Sequence, residues 1–149
     1  MNLKAGDKAP FFKANNQDSK ELTLDHFKGK KLVLYFYPKD DTPGCTAEAC
    51  SLRDNYNSLL KQGYAIVGVS PDNEKKHQKF IAKYELPFDL LADTDNAIAL
   101  AYGVWVEKSM YGRKYMGIAR TTFVIDEEGT ISEIIEKVDT AKHAEQILQ

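Results

Sequence analysis

Pro38-Lys-Asp-Asp-Thr-Pro-Gly-Cys-Thr-Ala-Glu-Ala-Cys50 carries both cysteines of the 149-residue chain and joins two different patterns. Before it runs Leu32-Val-Leu-Tyr-Phe-Tyr37, apolar throughout and rich in β-formers, as a central strand covered on both faces requires. After it, Cys45, Ala49, Leu52, Tyr56 and Leu59 recur at four- and three-residue spacings. That single stripe predicts a helix over about 43–61. Thr42-Pro43 marks its start, since a Thr side chain can accept from the first-turn N–H groups and Pro needs no partner at the first helical position. With Thr42 as N-cap, Cys45 stands third in the helix, where a capping box would carry Glu or Gln. A thiolate there lies among unpaired N–H groups at the positive end of the helix dipole, which favours ionisation. We read Cys45 as an activated nucleophile.

Cys50 decides what kind of nucleophile this is. The spacing to Cys45 is neither the C-x-x-C of a dithiol oxidoreductase nor half of a paired-knuckle zinc site. Two inert buried thiols and a stapling disulfide are the plain structural readings. A bridge across so short a loop contributes only about 2 kcal/mol before strain is subtracted, a poor reason for a staple. Redox chemistry is the favoured reading.

The length fits one domain over residues 1–149, large enough to bury most of its unfolded surface. Hydrophobic residues at 43%, charged residues at 28% and a net charge of -2 describe an ordinary globular chain with no polyanion-binding face. Nucleic acid and anionic membrane are therefore excluded as expected partners. Met1-Asn-Leu-Lys-Ala-Gly-Asp lacks the basic-then-apolar build of a signal peptide, and no apolar run approaches membrane-spanning length. Two free-standing cysteines in such a chain imply a reducing, cytoplasmic setting. Cys45, Cys50 and three scattered histidines offer no recognisable metal-ligand set, so neither metal nor cofactor is expected.

Outward from the cysteine stretch, the pattern is mixed α/β. Phe11-Phe-Lys-Ala and Lys20-Glu-Leu-Thr-Leu flank a turn-rich Asn15–Ser19 and predict an N-terminal hairpin. Asp25-His26-Phe27 starts one helical turn closed by Gly29, with His26 on the surface. Gly63 ends the long helix, and Tyr64–Ser70 is a second buried strand. Asp72 caps the next helix, whose one face holds His77, Phe80, Ile81 and Tyr84, with His77 at the boundary of the core. Pro87-Phe-Asp-Leu-Leu is a short strand; Asp93 or Thr94 caps a helix stopped by Gly103. Val104–Gly117 reads as a mobile connection. Thr121–Asp126, a turn at Glu127–Gly129 and Thr130–Glu136 form a hairpin, and a short helix to Gln149 closes the chain with His143 in solvent.

Pro38-Lys-Asp-Asp-Thr42-Pro-Gly-Cys45 resembles the Pro-x-x-x-Thr-x-x-Cys pattern of the peroxiredoxins, and the second cysteine at Cys50 resembles their bacterioferritin comigratory protein (Q-type) subgroup. Gly68-Val-Ser70, Phe88–Asp93, Tyr102-Gly-Val-Trp105 and Arg120-Thr-Thr-Phe-Val-Ile-Asp126 are similar to further family segments, in family order. Thioredoxins carry a Pro before the strand that matches 121–126; Thr121 stands there in this chain, as in peroxiredoxins. The resemblance implies a thioredoxin-like fold, a central mixed β-sheet flanked by helices, with the N-terminal hairpin as an extension. It implies reduction of hydrogen peroxide and organic hydroperoxides at Cys45, with Cys50 resolving in an intramolecular disulfide. Thioredoxin, or glutaredoxin, is the implied reductant, and a monomer the expected state, with dimers known in the subgroup. It also assigns roles to Thr42, Arg120 and Pro38. A strand 121–126 antiparallel to 32–37 brings Arg120 to the helix start, where a guanidinium stabilises the thiolate and the departing oxygen. Thr42 supplies a hydroxyl to thiolate or peroxide, Pro38 shields the pocket, and Glu48 orients Arg120 or caps the site against solvent. The competing readings are a protein thiol–disulfide oxidoreductase, which the cysteine spacing disfavours, and a non-catalytic peroxide sensor or redox-regulated chaperone, which would stop after one equivalent of peroxide.

Overall fold

The computed structural model describes residues 2–148. The lead-in forms the expected hairpin, β1 (Lys13–Asn15) antiparallel to β2 (Glu21–Thr23), then a 3-10 turn at Leu24–Phe27 with His26 exposed. β3 (Lys31–Phe36) leads through the cysteine stretch into α1 (Pro43–Asp54) and α2 (Tyr56–Lys61). β4 (Tyr64–Ser70), α3 (Glu74–Tyr84), β5 (Asp89–Ala92) and α4 (Ala97–Ala101) follow. β6 (Trp105–Met110) and β7 (Arg113–Ile118) form a separate two-stranded sheet, and β8 (Thr121–Ile125), β9 (Ile131–Ile135) and α5 (His143–Ile147) follow.

Five strands form the central sheet in the order β5-β4-β3-β8-β9. β3, β4 and β5 run parallel, while β8 is antiparallel to both β3 and β9. Alternation along β3 divides the core, since successive side chains point to opposite faces. Leu32, Leu34 and Phe36 join Phe12, Leu22, Ile98 and Tyr102 on the side of the N-terminal hairpin and α4. Val33, Tyr35 and Tyr37 meet Cys45, Ala49, Leu52, Leu59, Phe80 and Ile147 on the side of α1, α2, α3 and α5. The stripe headed by Cys45 is thus a core stripe, and Phe36 pairs with Thr121, so the start of β8 lies beside the end of β3.

Several expectations need correction. The predicted single helix over 43–61 is broken between α1 and α2 at Asn55, whose side-chain Nδ2 donates to the Ser51 carbonyl at 2.9 Å and competes with the helical ladder there. Val104–Gly117 is an ordered hairpin, not a mobile connection. Its two-residue turn is Tyr111-Gly112, both at positive φ (52° and 79°), the conformation that matches strand twist. α3 is capped by Asn73, which accepts from Lys76 N at 2.9 Å. Asp72 instead turns inward to accept from Asp40 N and Ser70 Oγ. His77 and His143, placed at the boundary and in solvent by the sequence reading, are both fully buried. The closing helix ends before Gln149, which lies outside the described residues.

Candidate active site

Cys45 occupies the third position of α1, with Thr42 as the N-cap residue by backbone geometry and Pro43 at the first position. It is buried, and both cysteines are free thiols. α1 is continuous through Cys50, which is half-buried on the same helix. Arg120, two residues after β7 and directly before β8, reaches back over the helix start: its Nη2 donates to Cys45 Sγ at 3.3 Å, and its Nη1 to Glu48 Oε1 at 2.7 Å. Burial works against the charge on Arg120, but Cys45 and Glu48 more than offset it and hold the guanidinium above its ordinary range. Gly44 allows this approach, since a Cβ there would lie 3.2 Å from Arg120 Nη2.

Thr42 stands at the expected place with a different bond. Its hydroxyl donates to the Lys39 carbonyl at 2.9 Å, and its side chain accepts nothing from the helix N–H groups. The bond ties the helix start to the turn before it, while the oxygen lone pairs stay uncommitted. Pro38 is half-buried in the same turn. Two acidic residues fix that turn in opposite directions. Asp41, at φ 58°, reaches outward to Lys83 Nζ and Tyr84 Oη of α3, each at 2.8 Å, and these bonds hold its carboxyl below the usual range. Asp40 reaches inward: Oδ1 accepts from Tyr37 Oη at 2.5 Å, and Oδ2 lies 2.6 Å from His77 Nδ1. His77 Nε2 faces the Leu91 carbonyl at 2.9 Å, so that nitrogen carries the donated hydrogen.

Glu48 lies one turn beyond Cys45 and is fully buried. Burial raises its carboxyl and Arg120 pulls it down; the net result is about 7. Its second oxygen, Oε2, has no hydrogen-bond partner among the described residues and lies 3.4 Å from His143 Nε2 on α5. The sequence reading groups Cys45, Cys50, Thr42, Pro38 and Arg120; in the structure Arg120 reaches Cys45 and Thr42 caps the same helix start, while Pro38 lies in the turn before it and Cys50 further along α1. The sequence reading missed Asp40, His77 and His143. The signal for His77 was its place on the apolar face with Phe80, and for His143 its position beside Ala144 and four residues before Ile147. Among the described residues, no group of three or more His, Cys, Asp or Glu side chains is placed to hold a metal ion, and no helix is long and apolar enough to cross a membrane.

A helix-borne cysteine at the C-terminal end of a central parallel strand defines a thioredoxin-like redox protein, and comparison with known proteins narrows the class. The pattern of the AhpC/TSA family matches residues 5–134. Peroxiredoxin Bcp of Bacillus subtilis is 45% identical over 149 residues, covering 100% of this chain and 95% of that one. Peroxiredoxin Bcp of Escherichia coli is 43% identical over 146 residues, covering 98% and 94%. The solved structure of Xanthomonas campestris peroxiredoxin Q superposes with a TM-score of 0.90 at 38% identity, covering 97% of this chain and 94% of that one. The chain belongs to the AhpC/TSA family, as a thiol-dependent peroxidase of the Bcp and peroxiredoxin Q kind.

Proposed function

We propose that Cys45 is the peroxide-reducing cysteine, Cys50 the resolving cysteine, and thioredoxin the reductant that closes the cycle. The observation that carries this reading is the 3.3 Å contact from Arg120 Nη2 to a free, buried Cys45 at a helix start. The Cys45 thiolate attacks one oxygen of a hydroperoxide; the O–O bond breaks, the sulfur becomes a sulfenic acid, and the departing oxygen takes a proton and leaves as water or an alcohol. Arg120 stabilises the negative charge that moves from sulfur to the departing oxygen. The Thr42 oxygen and Pro38 frame the peroxide on the open side. Cys50 then displaces water from the sulfenic acid to give the disulfide, which external thiols reduce.

The second step requires movement. Five residues of regular helix separate the two Cα atoms by roughly 8.7 Å, whereas a disulfide tolerates about 7 Å. The first turns of α1 therefore unwind before the bridge forms. Both thiols are free and α1 is regular through Cys50, the arrangement this reading assigns to the reduced state.

Replacing each cysteine tests the division of labour. Cys45→Ser abolishes peroxide consumption. Cys50→Ser reacts once, leaves a sulfenic acid that a dimedone probe labels at Cys45, and loses thioredoxin-driven turnover. An equal loss of the first, single-turnover step in both variants contradicts the assignment. Many equivalents of peroxide consumed by the unmodified protein with thioredoxin and its reductase exclude a sensor that stops after one.

A further inference from the structure

His143 lies on the far side of Glu48 from Arg120, and the hydrogen bonds around it fix its tautomer. Gln146 Oε1 accepts from Asp139 N at 3.1 Å, and Gln146 Nε2 donates to the Lys137 carbonyl at 3.0 Å, so the amide has only one consistent orientation. Its oxygen also faces His143 Nδ1 at 2.8 Å, so Nδ1 carries a hydrogen. His143 Nε2 then faces Thr122 Oγ1 at 2.7 Å and Glu48 Oε2 at 3.4 Å. A bare Nε2 offers one lone pair, which faces the Thr122 hydroxyl more closely than Glu48, so an ionised Glu48 would keep Oε2 fully buried with no donor among the described residues. The pair is consistent with its surroundings only when it holds one extra proton.

Resting on the proposed role of Cys45, we infer that His143 is a positioning residue: it and Glu48 hold one shared proton, carried on Glu48, and through Arg120 this proton sets the charge that faces Cys45. The carboxyl's rise to about 7 and the fall of His143 below its ordinary value both place the proton on Glu48. Burial is the largest cause in each case; Arg120 partly offsets it at Glu48 by attracting the carboxylate, and adds to it at His143 by repelling an imidazolium. The other titratable groups around the pair leave the proton where it is. Tyr35 from β3 stays a neutral phenol, held up by burial first and by Glu48 second. Asp139, ahead of α5, acts on His143 in the direction opposite to burial without reversing it. Cys45, on the same helix as Glu48, competes with it for the single guanidinium.

With Glu48 neutral, Arg120 is committed to the thiolate; with Glu48 ionised, one guanidinium serves two anions. The peroxide rate of the reduced full-length protein, divided by the thiolate fraction read from ultraviolet absorbance, should therefore fall about tenfold as pH rises through neutrality. Glu48→Gln should remove that basic limb. His143→Leu should move the limb to lower pH by about one unit, because it removes an acceptor that stabilises the neutral acid. A limb that moves to higher pH would mean that His143 is an imidazolium, and a limb unmoved by either variant would mean that the pair holds no proton; each result overturns the inference. Carboxyl carbon NMR of the unmodified protein, which needs no variant to fold, should show Glu48 protonated at pH 6 and titrating near neutrality. A Glu48 already ionised at pH 6 overturns it directly. If Cys45 is not the nucleophile, the peroxide assay is silent while the NMR titration still reports the proton.

Discussion

Two buried histidines flank the cysteine helix, and each faces a carboxylate, yet the two pairs are built differently. His77 and Asp40 meet at 2.6 Å; Tyr37 satisfies the other carboxylate oxygen and Leu91 the other ring nitrogen. His143 and Glu48 stand 3.4 Å apart, with one carboxylate oxygen lacking a hydrogen bond among the described residues. The first pair is closed on itself and braces the turn that carries Pro38 and Thr42. The second is open toward Arg120 and can change its charge without breaking a short bond. A saturated buried network fixes geometry; an unsaturated one responds to protons.

Breaking the closed pair gives the largest expected effect. His77→Leu leaves Asp40 buried beside an apolar side chain, and removing one partner of a buried pair costs about 3–5 kcal/mol. His143→Leu leaves a neutral acid and a threonine hydroxyl short of one acceptor, a cost of about 1–2 kcal/mol. Urea unfolding of both variants at neutral pH checks the order. Equal losses would erase the distinction between brace and responder.

The open pair also carries a pH signature in stability. Glu48 titrates at about 7 in the folded chain against an ordinary value of 4.5. The folded state keeps a proton that the unfolded state releases, so stability falls as pH rises between those values. It is greatest below 4.5 and the contribution is lost above about 7, a difference of about 3 kcal/mol in this fully buried group. Glu48→Gln should flatten this slope between pH 4.5 and 7 in denaturant titrations. A slope that persists in the variant assigns the pH dependence to another group.

This contrast was invisible in the sequence, although most of its frame was not. β3, β4, β8 and β9 announced themselves as apolar or alternating runs bounded by turn residues, and the start of α1 by Thr42-Pro43. Cys45 and Arg120 could be placed together because the antiparallel pairing of β3 and β8 dictates it. Periodicity reports which residues face inward, but not whether a polar one among them finds a partner. Asp40 and His77 sit on different elements, as do Glu48 and His143, and only the packing of α3 and α5 brings them together. The two misread backbone segments have separate causes. Asn55 takes a helix carbonyl, and Tyr111 adopts a positive φ that its residue type rarely signals.

The smallest effect on stability sharpens the comparison most, because it acts on the open side alone. Gly44 lies in the first turn of α1 and does not adopt positive φ, so Ala fits its backbone. Gly44→Ala should stabilise the fold by about 0.4–1 kcal/mol through the unfolded chain. Its methyl group would stand 3.2 Å from Arg120 Nη2, the atom that donates to Cys45, and the guanidinium must give way by a few tenths of an ångström. Nη1 stays bound to Glu48, so the displacement falls on the thiolate contact. The expected variant is more stable and slower, with reduced alkylation and peroxide rates at neutral pH and an unchanged Asp40–His77 brace. Its first-turn amides should also exchange more slowly, since an alanine resists the unwinding that brings Cys50 to Cys45. A variant that gains stability with full peroxide rate would show that Arg120 tolerates displacement, and that Cys45 depends on the helix terminus more than on the guanidinium.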